Sequence, residues 1–400
     1  MTAHRINVIF RTAIVAELVL IATTWRLWLC AAEFPVVPLF GIFLQIPLML
    51  VRLVSLTFVA ALLVAAFTGR GKRLMPGRRI SAVSLLLAGL AVCCNQHCLQ
   101  PWHWLFMLTM SFRMILSNDD VLNVLRRLLP CIYVFAAVSR FGPNIDSGMS
   151  RSVVTVLLES ADLTHLTASE ETMFWACLLS TMLELSAGLL LWISRTQSVG
   201  RGLAVAMHLI LITALGPWGL NQHPAVIIWN AFLALWVIFL FPVPFMHQKS
   251  PSASVTAAAG LCITWSTLAL FGVTDSWTGW QLYSPRPETL HLRIHSAAAA
   301  ELPASVAPFV SDSTPLDEWH TVRLDRWSLA AAGVPIYPQA RFQLAVAGRL
   351  IRDMDSSQHV RIGLNVPDPI RWWRRTTVSL SGKPAIKEAT QTCRLNATAR

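Results

Sequence analysis

Long apolar runs, interrupted by short polar stretches, recur from the N-terminus to about residue 273, and they constrain this chain more than any other feature. A helix rising 1.5 Å per residue needs about 20 apolar residues to cross about 30 Å of hydrocarbon. Nine segments approach that length: Ile6–Thr24, Gln45–Phe67, Ile80–Asn95, Trp102–Leu116, Leu122–Phe141, Met173–Ile193, Leu203–Leu220, Val226–Phe241 and Ala257–Val273. Charged residues make up 13% of the 400 and hydrophobic ones 54%, whereas a soluble domain carries about 25% charge. Those proportions exclude a soluble globular chain, a disordered chain, collagen and a coiled coil. The expected fold is mainly α: a polytopic transmembrane bundle of about nine spans followed by a small extracytoplasmic α/β domain. Pro38, Pro47, Pro130 and Pro217 are expected at or near span ends, where a missing N–H is easier to accommodate.

Charge marks the domain boundary. Residues 1–273 hold 17 Lys and Arg against 10 Asp and Glu, and residues 274–400 hold 15 against 11. The step from sparse to frequent charge separates a membrane bundle, 1–273, from a water-exposed C-terminal domain, 274–400. The net charge of +11 sits, in the bundle, in short loops between apolar runs. That placement argues for topology and an anionic lipid surface as partner rather than nucleic acid. Alternate loops collect 12 basic residues (Arg5, Arg11, Arg70, Lys72, Arg73, Arg78, Arg79, Arg126, Arg127, Arg195, Arg201 and Lys249) against Arg26, Arg140 and Arg151 on the other side. The positive-inside rule then puts the N-terminus in the cytoplasm of an inner membrane, and nine spans leave the tail outside. Glu17 and the bulky Trp25-Arg26-Leu27-Trp28 favour a retained first helix over a signal peptide cleaved near Cys30-Ala31-Ala32.

Elsewhere the pattern is coarser. Trp25, Trp28, Trp102, Trp104, Trp218 and Trp277 fall near predicted outer ends, where indoles anchor at headgroup level. Residues 152–159 form an amphipathic stretch, with Ser150 or Ser152 as its expected cap. In the tail, alternation predicts strands at 289–295, 319–327, 360–366 and 377–380. Helical spacing predicts a helix over 339–354 and partial helix over 297–310. Past Lys383 the chain is expected to fray.

Polar side chains within so apolar a bundle are the natural candidates for chemistry, because each is expensive unless paired or functional. Glu17, Arg52, Arg113, Glu184 and His208 fall inside spans. One account pairs a Glu with Arg52 or Arg113; the other makes Glu184 and His208 a proton path or substrate site. Asn-Gln-His occurs twice, at 95–97 and 221–223, each copy near an outer span end and ahead of an aromatic-rich helix. These copies either solvate helix ends or line a shared pocket. Cys93, Cys94 and Cys98 fit three readings: structural thiols, a redox pair, or metal ligation. Their spacing is neither C-x-x-C nor a standard zinc pattern, and no metal site is assigned.

The fifth span carries Tyr133-Val134-Phe135-Ala136-Ala137-Val138-Ser139-Arg140-Phe141. An aromatic, small residues, then a basic residue and Phe at a helix end resemble the signature helix of DoxX/MauE-type membrane proteins. That group borders on the membrane domain of vitamin K-dependent carboxylase-like proteins (HTTM). The runs Asn95-Gln96-His97-x-Leu99-Gln100-Pro101-Trp102, Gly216-Pro217-Trp218-Gly219-Leu220-Asn221, Ile228-Trp229-Asn230 and Trp280-x-x-Tyr283-x-Pro285-Arg286-Pro287 look like an extended bacterial branch of it. The resemblance implies a helical membrane protein tied to redox or disulfide metabolism, with a quinone as cofactor and a periplasmic or membrane redox partner. Where those families carry Lys, this chain has Arg140, which keeps the charge but cannot act as a base. On the carboxylase-like comparison the available bases are His97, His208 and His223.

The leading expectation is an outer-face pocket built from His97, Gln100, Trp102, Tyr133, Arg140, Asn221, His223 and Asn230. A second is an anchor or assembly factor whose tail recruits a partner through Arg371, Arg374 and Arg375 beside Trp372 and Trp373. A transporter using Glu184, Arg52 and Arg113 is a third.

Overall fold

In the computed structural model, the described residues are 2–30, 33–67, 78–142, 144–242, 251–311, 317–354, 359–368, 371 and 374–400. Arg70, Lys72, Arg73, Lys249, Trp372 and Trp373 therefore lie outside them, as do Ala31 and Ala32 of the weighed cleavage site. The chain divides into two compact units: Met1–Thr23, Ala61–Leu85 and Pro101–Arg286 in the first, and Thr24–Ala60, Leu86–Gln100 and Pro287–Arg400 in the second. The charge step at 273 and this division by contact thus separate different sets of residues: the second unit takes in two stretches of the apolar region along with the tail.

The helices in chain order are α1 (Thr2–Thr23), α2 (Trp25–Trp28), α3 (Leu48–Phe67), α4 (Arg78–Cys94), α5 (Pro101–Ile115), α6 (Asn118–Val138), α7 (Gly148–Ser160), α8 (Glu170–Trp192), α9 (Gln197–Leu215), α10 (Pro224–Leu240) and α11 (Ala253–Leu270). Among the described residues six have the length and apolarity to cross a membrane: His4–Thr23 of α1, and α3, α6, α8, α9 and α11. The expectation of nine is corrected accordingly. Starting at prolines, α10 runs 17 residues and α5 15, about 22–26 Å of helix against about 30 Å of hydrocarbon; the 17 described residues of α4 begin where the described stretch itself begins, at Arg78. With six crossings the parity that placed the tail opposite the N-terminus no longer holds.

In the first unit, short polar signals start the apolar helices. Ser117, Ser169 and Ser252 each accept a backbone N–H of the following first turn, at 3.3, 3.2 and 3.3 Å. Asp119 and Asp120 in α6, and Glu170 and Glu171 in α8, add favourable charge at the positive helix ends. Packing runs α6 on α8, α8 on α9, α9 on α10 and α10 on α1, with α11 also on α6. Large apolar side chains such as Leu179, Leu183, Val199 and Leu209 stay exposed, as helices facing lipid require.

One contact sets the α6–α8 spacing. Pro130 lies inside α6 rather than at a span end, and Gly188 of α8 sits against it. A Cβ on Gly188 would fall 2.9 Å from Val134 Cγ2, 3.0 Å from the Pro130 carbonyl oxygen and 3.1 Å from Tyr133 Cβ. A small residue here lets the two backbones close up, directly against Tyr133 and one helical turn from Glu184.

The tail of the second unit forms an open antiparallel sheet of order β2-β1-β3-β4, from β1 (Thr289–His295), β2 (Trp319–Val322), β3 (Val360–Pro367) and β4 (Arg375–Ser381). Leu292 pairs with Val322 on one side and Ile362 on the other, so the centre of one face is apolar. Helices α12 (Ser296–Ala299), α13 (Leu324–Ala332), α14 (Ala340–Leu350) and α15 (Gly382–Gln391) complete it. Three local expectations are corrected. The strand from 319 ends at Val322, because Leu324, Trp327 and Ser328 are buried on a helix instead. Beyond Lys383 the chain is ordered: α15 packs on α14, Asn396 N–H donates to Leu39 O at 3.2 Å and Arg400 N–H to Val36 O at 3.0 Å. Finally, α7 starts at Gly148, so Ser150 and Ser152 lie within the helix and Ser152 donates back to Gly148 O.

Candidate functional site

Five of the residues singled out in the sequence line one cavity of about 80 Å³ in the first unit: Tyr133, Arg140, Glu184, His208 and Asn230. They come from α6 and the turn after it, α8, α9 and α10. The close α6–α8 approach at Gly188 brings Tyr133 and Glu184 to the same space.

The polar groups form two sets. Arg140 Nη2 donates to Glu184 Oε2, in an ion pair whose side chains are 11% and 13% exposed. Arg140 Nε is buried with no hydrogen-bond partner. The second set is a directed chain. Asn230 Nδ2 donates to Val226 O at 2.9 Å, which turns Oδ1 toward His208 Nδ1, 3.0 Å away. Oδ1 only accepts, so Nδ1 carries the proton and the neutral ring leaves Nε2 as an acceptor. Tyr133 Oη, 2.8 Å from Nε2, therefore donates to it. The Tyr133 oxygen keeps lone pairs beside the cavity, and Arg140 keeps an N–H.

Tyr283 was quoted in the sequence only within a family-like run, and the structure puts it on the same cavity wall. It sits in the left-handed region at φ +54°, as does Trp280 at φ +64°, a strained state for aromatic residues that surroundings must enforce. Ser284 Oγ donates to Ser139 O at 2.6 Å and Arg286 Nε to Leu270 O at 2.8 Å, tying down the segment that carries Tyr283. Desolvation of its hydroxyl end pushes the Tyr283 phenol up to about 12, with Arg140 opposing and Glu184 adding to the shift, while the residue as a whole is 37% exposed. It is a neutral donor at any ordinary pH.

The remaining candidates are engaged elsewhere. His97, Gln100 and the 95–97 copy of Asn-Gln-His belong to the second unit. There Asn95 Oδ1 accepts His97 N–H, and Gln96 Nε2 donates to Pro38 O and Asn396 O while its Oε1 accepts Arg341 Nε. His97 Nε2 donates to Pro335 O at 2.9 Å and Gln100 Nε2 to His97 O at 2.8 Å. Burial pulls the His97 imidazole down to about 4, partly offset by that bond. In the first unit Asn221 takes φ +46° in the turn before α10 and His223 Nδ1 caps Ala225 N–H. Both tripeptides thus organise chain turns.

Glu17 meets neither Arg52 nor Arg113. Its Oε1 lies 2.6 Å from His103 Nδ1, and both side chains are fully buried. Trp102 shares a void of about 10 Å³ with Glu17 and is not part of the larger cavity. Arg52 donates to Leu29 O and Cys30 O at 2.8 and 3.3 Å. Arg113 lies over the Phe10 ring at 5.9 Å. All eight cysteines are free thiols, and Cys94 joins Cys30, Val36 and Val51 in an apolar cluster. Among the described residues no group of three or more His, Cys, Asp or Glu is placed to hold a metal ion. No protein-family model, curated protein or solved structure matches this chain.

Proposed function

We propose that this multi-pass membrane protein takes up a lipid-soluble quinone-type ligand in the α6–α8–α9–α10 cavity and exchanges a proton with it. One observation carries the reading: an unspent donor, Arg140 Nε–H, and an unspent acceptor, Tyr133 Oη, share one small cavity backed by an imidazole. A ring bearing oxygens in both oxidation states matches that pair, since a carbonyl accepts from Arg140 and a hydroxyl donates to Tyr133. Tyr133 receives the ligand's hydroxyl proton as its own passes to His208 Nε2. Asn230 Oδ1 stays bonded to Nδ1–H and steadies the ring while it holds both protons. Glu184 keeps Arg140 in place. The quinone would supply the electron chemistry. On this reading the protein belongs to inner-membrane redox metabolism, with the N-terminus cytoplasmic from the loop charges. The tail lies outside only if an odd number of the three shorter helices, α4, α5 and α10, cross as well.

The test is titration of the detergent-solubilised chain with decyl-benzoquinone, followed by calorimetry. Saturable 1:1 binding, weakened at least tenfold in Tyr133→Phe with its fold intact, supports the proposal. No saturable binding, or equal binding in Tyr133→Phe and Arg140→Lys, overturns it. A reporter enzyme fused after residue 400 reads the side of the tail separately.

A further inference from the structure

The second unit contains two adjoining clefts of about 590 and 450 Å³ that share Glu33, Ser305 and Trp327 on their walls. Trp327 is 3% exposed, clamped against Phe34 at a ring-centroid distance of 4.8 Å, and its indole Nε1 has no hydrogen-bond partner. On the larger cleft, Arg400 spends Nη2 on the Phe43 carbonyl while Nε and Nη1 remain buried and unpartnered. Buried donors left unmade are costly, so these three set a demand for acceptor oxygens. Asp353 does not meet it, because it is held by Arg349 at 3.0 Å.

Three further features narrow the ligand. Glu33 puts a carboxylate on both clefts, which disfavours an anionic head and calls for donors as well as acceptors. A hydroxyl is both at once. Trp25, on the smaller cleft, is 48% exposed and offers a flat apolar face. The wall of the larger cleft also includes Leu48, first residue of the candidate span α3, and the next residues Met49 and Leu50 are 80% and 49% exposed.

We propose that this double cleft binds a sugar-headed amphiphile, its neutral hydroxylated head between Glu33, Trp327 and Arg400 and its alkyl chain running out along Leu48 and the exposed face of α3. The head satisfies the donors and the carboxylate together, and the chain covers apolar surface that no other described group of this unit covers.

The full chain, solubilised in a polyoxyethylene detergent, is titrated with dodecyl maltoside, with laurate and with free maltose, and bound molecules are counted by native mass spectrometry. Saturable uptake of one dodecyl maltoside is expected, with laurate and maltose at least tenfold weaker. Trp327→Phe keeps an aromatic ring against Phe34 while losing the N–H and part of the indole's area; it should weaken uptake about three- to tenfold. Ala304→Trp, at an exposed position on the wall, should abolish it. Laurate binding equally well makes this an anion site, and maltose binding equally well makes it a free-sugar site; either overturns the proposal. So does the absence of saturable uptake, or uptake unchanged by Ala304→Trp. If Trp327→Phe does not fold, the Ala304→Trp comparison carries the test alone.

Discussion

Tyr133 donates its hydroxyl hydrogen to His208 Nε2 across 2.8 Å, and the direction of that bond is dictated from the far side of the ring by Asn230. A chain of this kind has one polarity, so its end at the cavity is an acceptor oxygen.

Tyr133→Phe removes the donor and strands a buried imidazole nitrogen. The expected loss is about 1–3 kcal/mol of stability, visible as a lower midpoint of thermal unfolding in detergent. Asn230→Asp should allow the ring to protonate in place, and NMR of labelled His208 would show the imidazolium at neutral pH. An unchanged neutral ring counts against the assigned tautomer.

Arg140 and Glu184 form a largely buried pair. Glu184→Leu alone leaves a guanidinium without its carboxylate and should cost about 3–5 kcal/mol. Arg140→Met with Glu184→Leu should cost clearly less than the two single changes together. Additive losses in a double-mutant cycle would mean that the pair contributes nothing as a pair.

His97 gives the second unit a pH dependence. Its imidazole titrates near 4 when folded and near 6.5 when unfolded, so the unfolded chain binds the extra proton between those values. Stability from this group is complete above about pH 6.5 and is lost as pH falls toward 4. The full difference is about 3 kcal/mol. Hydrogen exchange of residues 287–400 in the intact protein should accelerate over that interval, and His97→Gln should flatten the profile.

Gly188→Ala should push α6 and α8 apart, since the added carbon meets Val134 Cγ2 and the Pro130 carbonyl at 3.0 Å or less. The expected cost is about 1–3 kcal/mol, with quinone affinity falling in parallel because Tyr133 and Glu184 separate. Gly202→Ala, with nothing within 4 Å, is the matched control and should leave both unchanged.

Residue identities alone picked out Glu184, His208, Tyr133, Arg140 and Asn230, yet assigned them to two groups. His208 and Glu184 stood out as costly in hydrocarbon, and the others as polar groups near one end of the bundle. Nothing local signals that Tyr133 and His208 meet, because they are 75 residues apart on different helices. Glu17 shows the same limit: charge suggested Arg52 or Arg113, and packing chose His103. Tyr283 carried no signal beyond its place in a short motif, since its role follows from a strained turn tied to Ser139. The repeated Asn-Gln-His looked like pocket material, but the backbone at each turn uses those side chains first.

Sequence by itself determined that this is a multi-pass membrane protein with a polar sheet-bearing tail. Transfer of a segment into hydrocarbon sums over its own residues, and strand alternation repeats within a few positions, so both are local properties. Helix ends were less legible: α5 and α10 start at prolines and stay below the spanning length, and of α4 only Arg78–Cys94 is described. Only the tertiary structure decided which buried polar groups are partners. In a low-dielectric interior each must find one, but which one depends on how closely two helices approach, and a missing Cβ at Gly188 sets that for the α6–α8 pair.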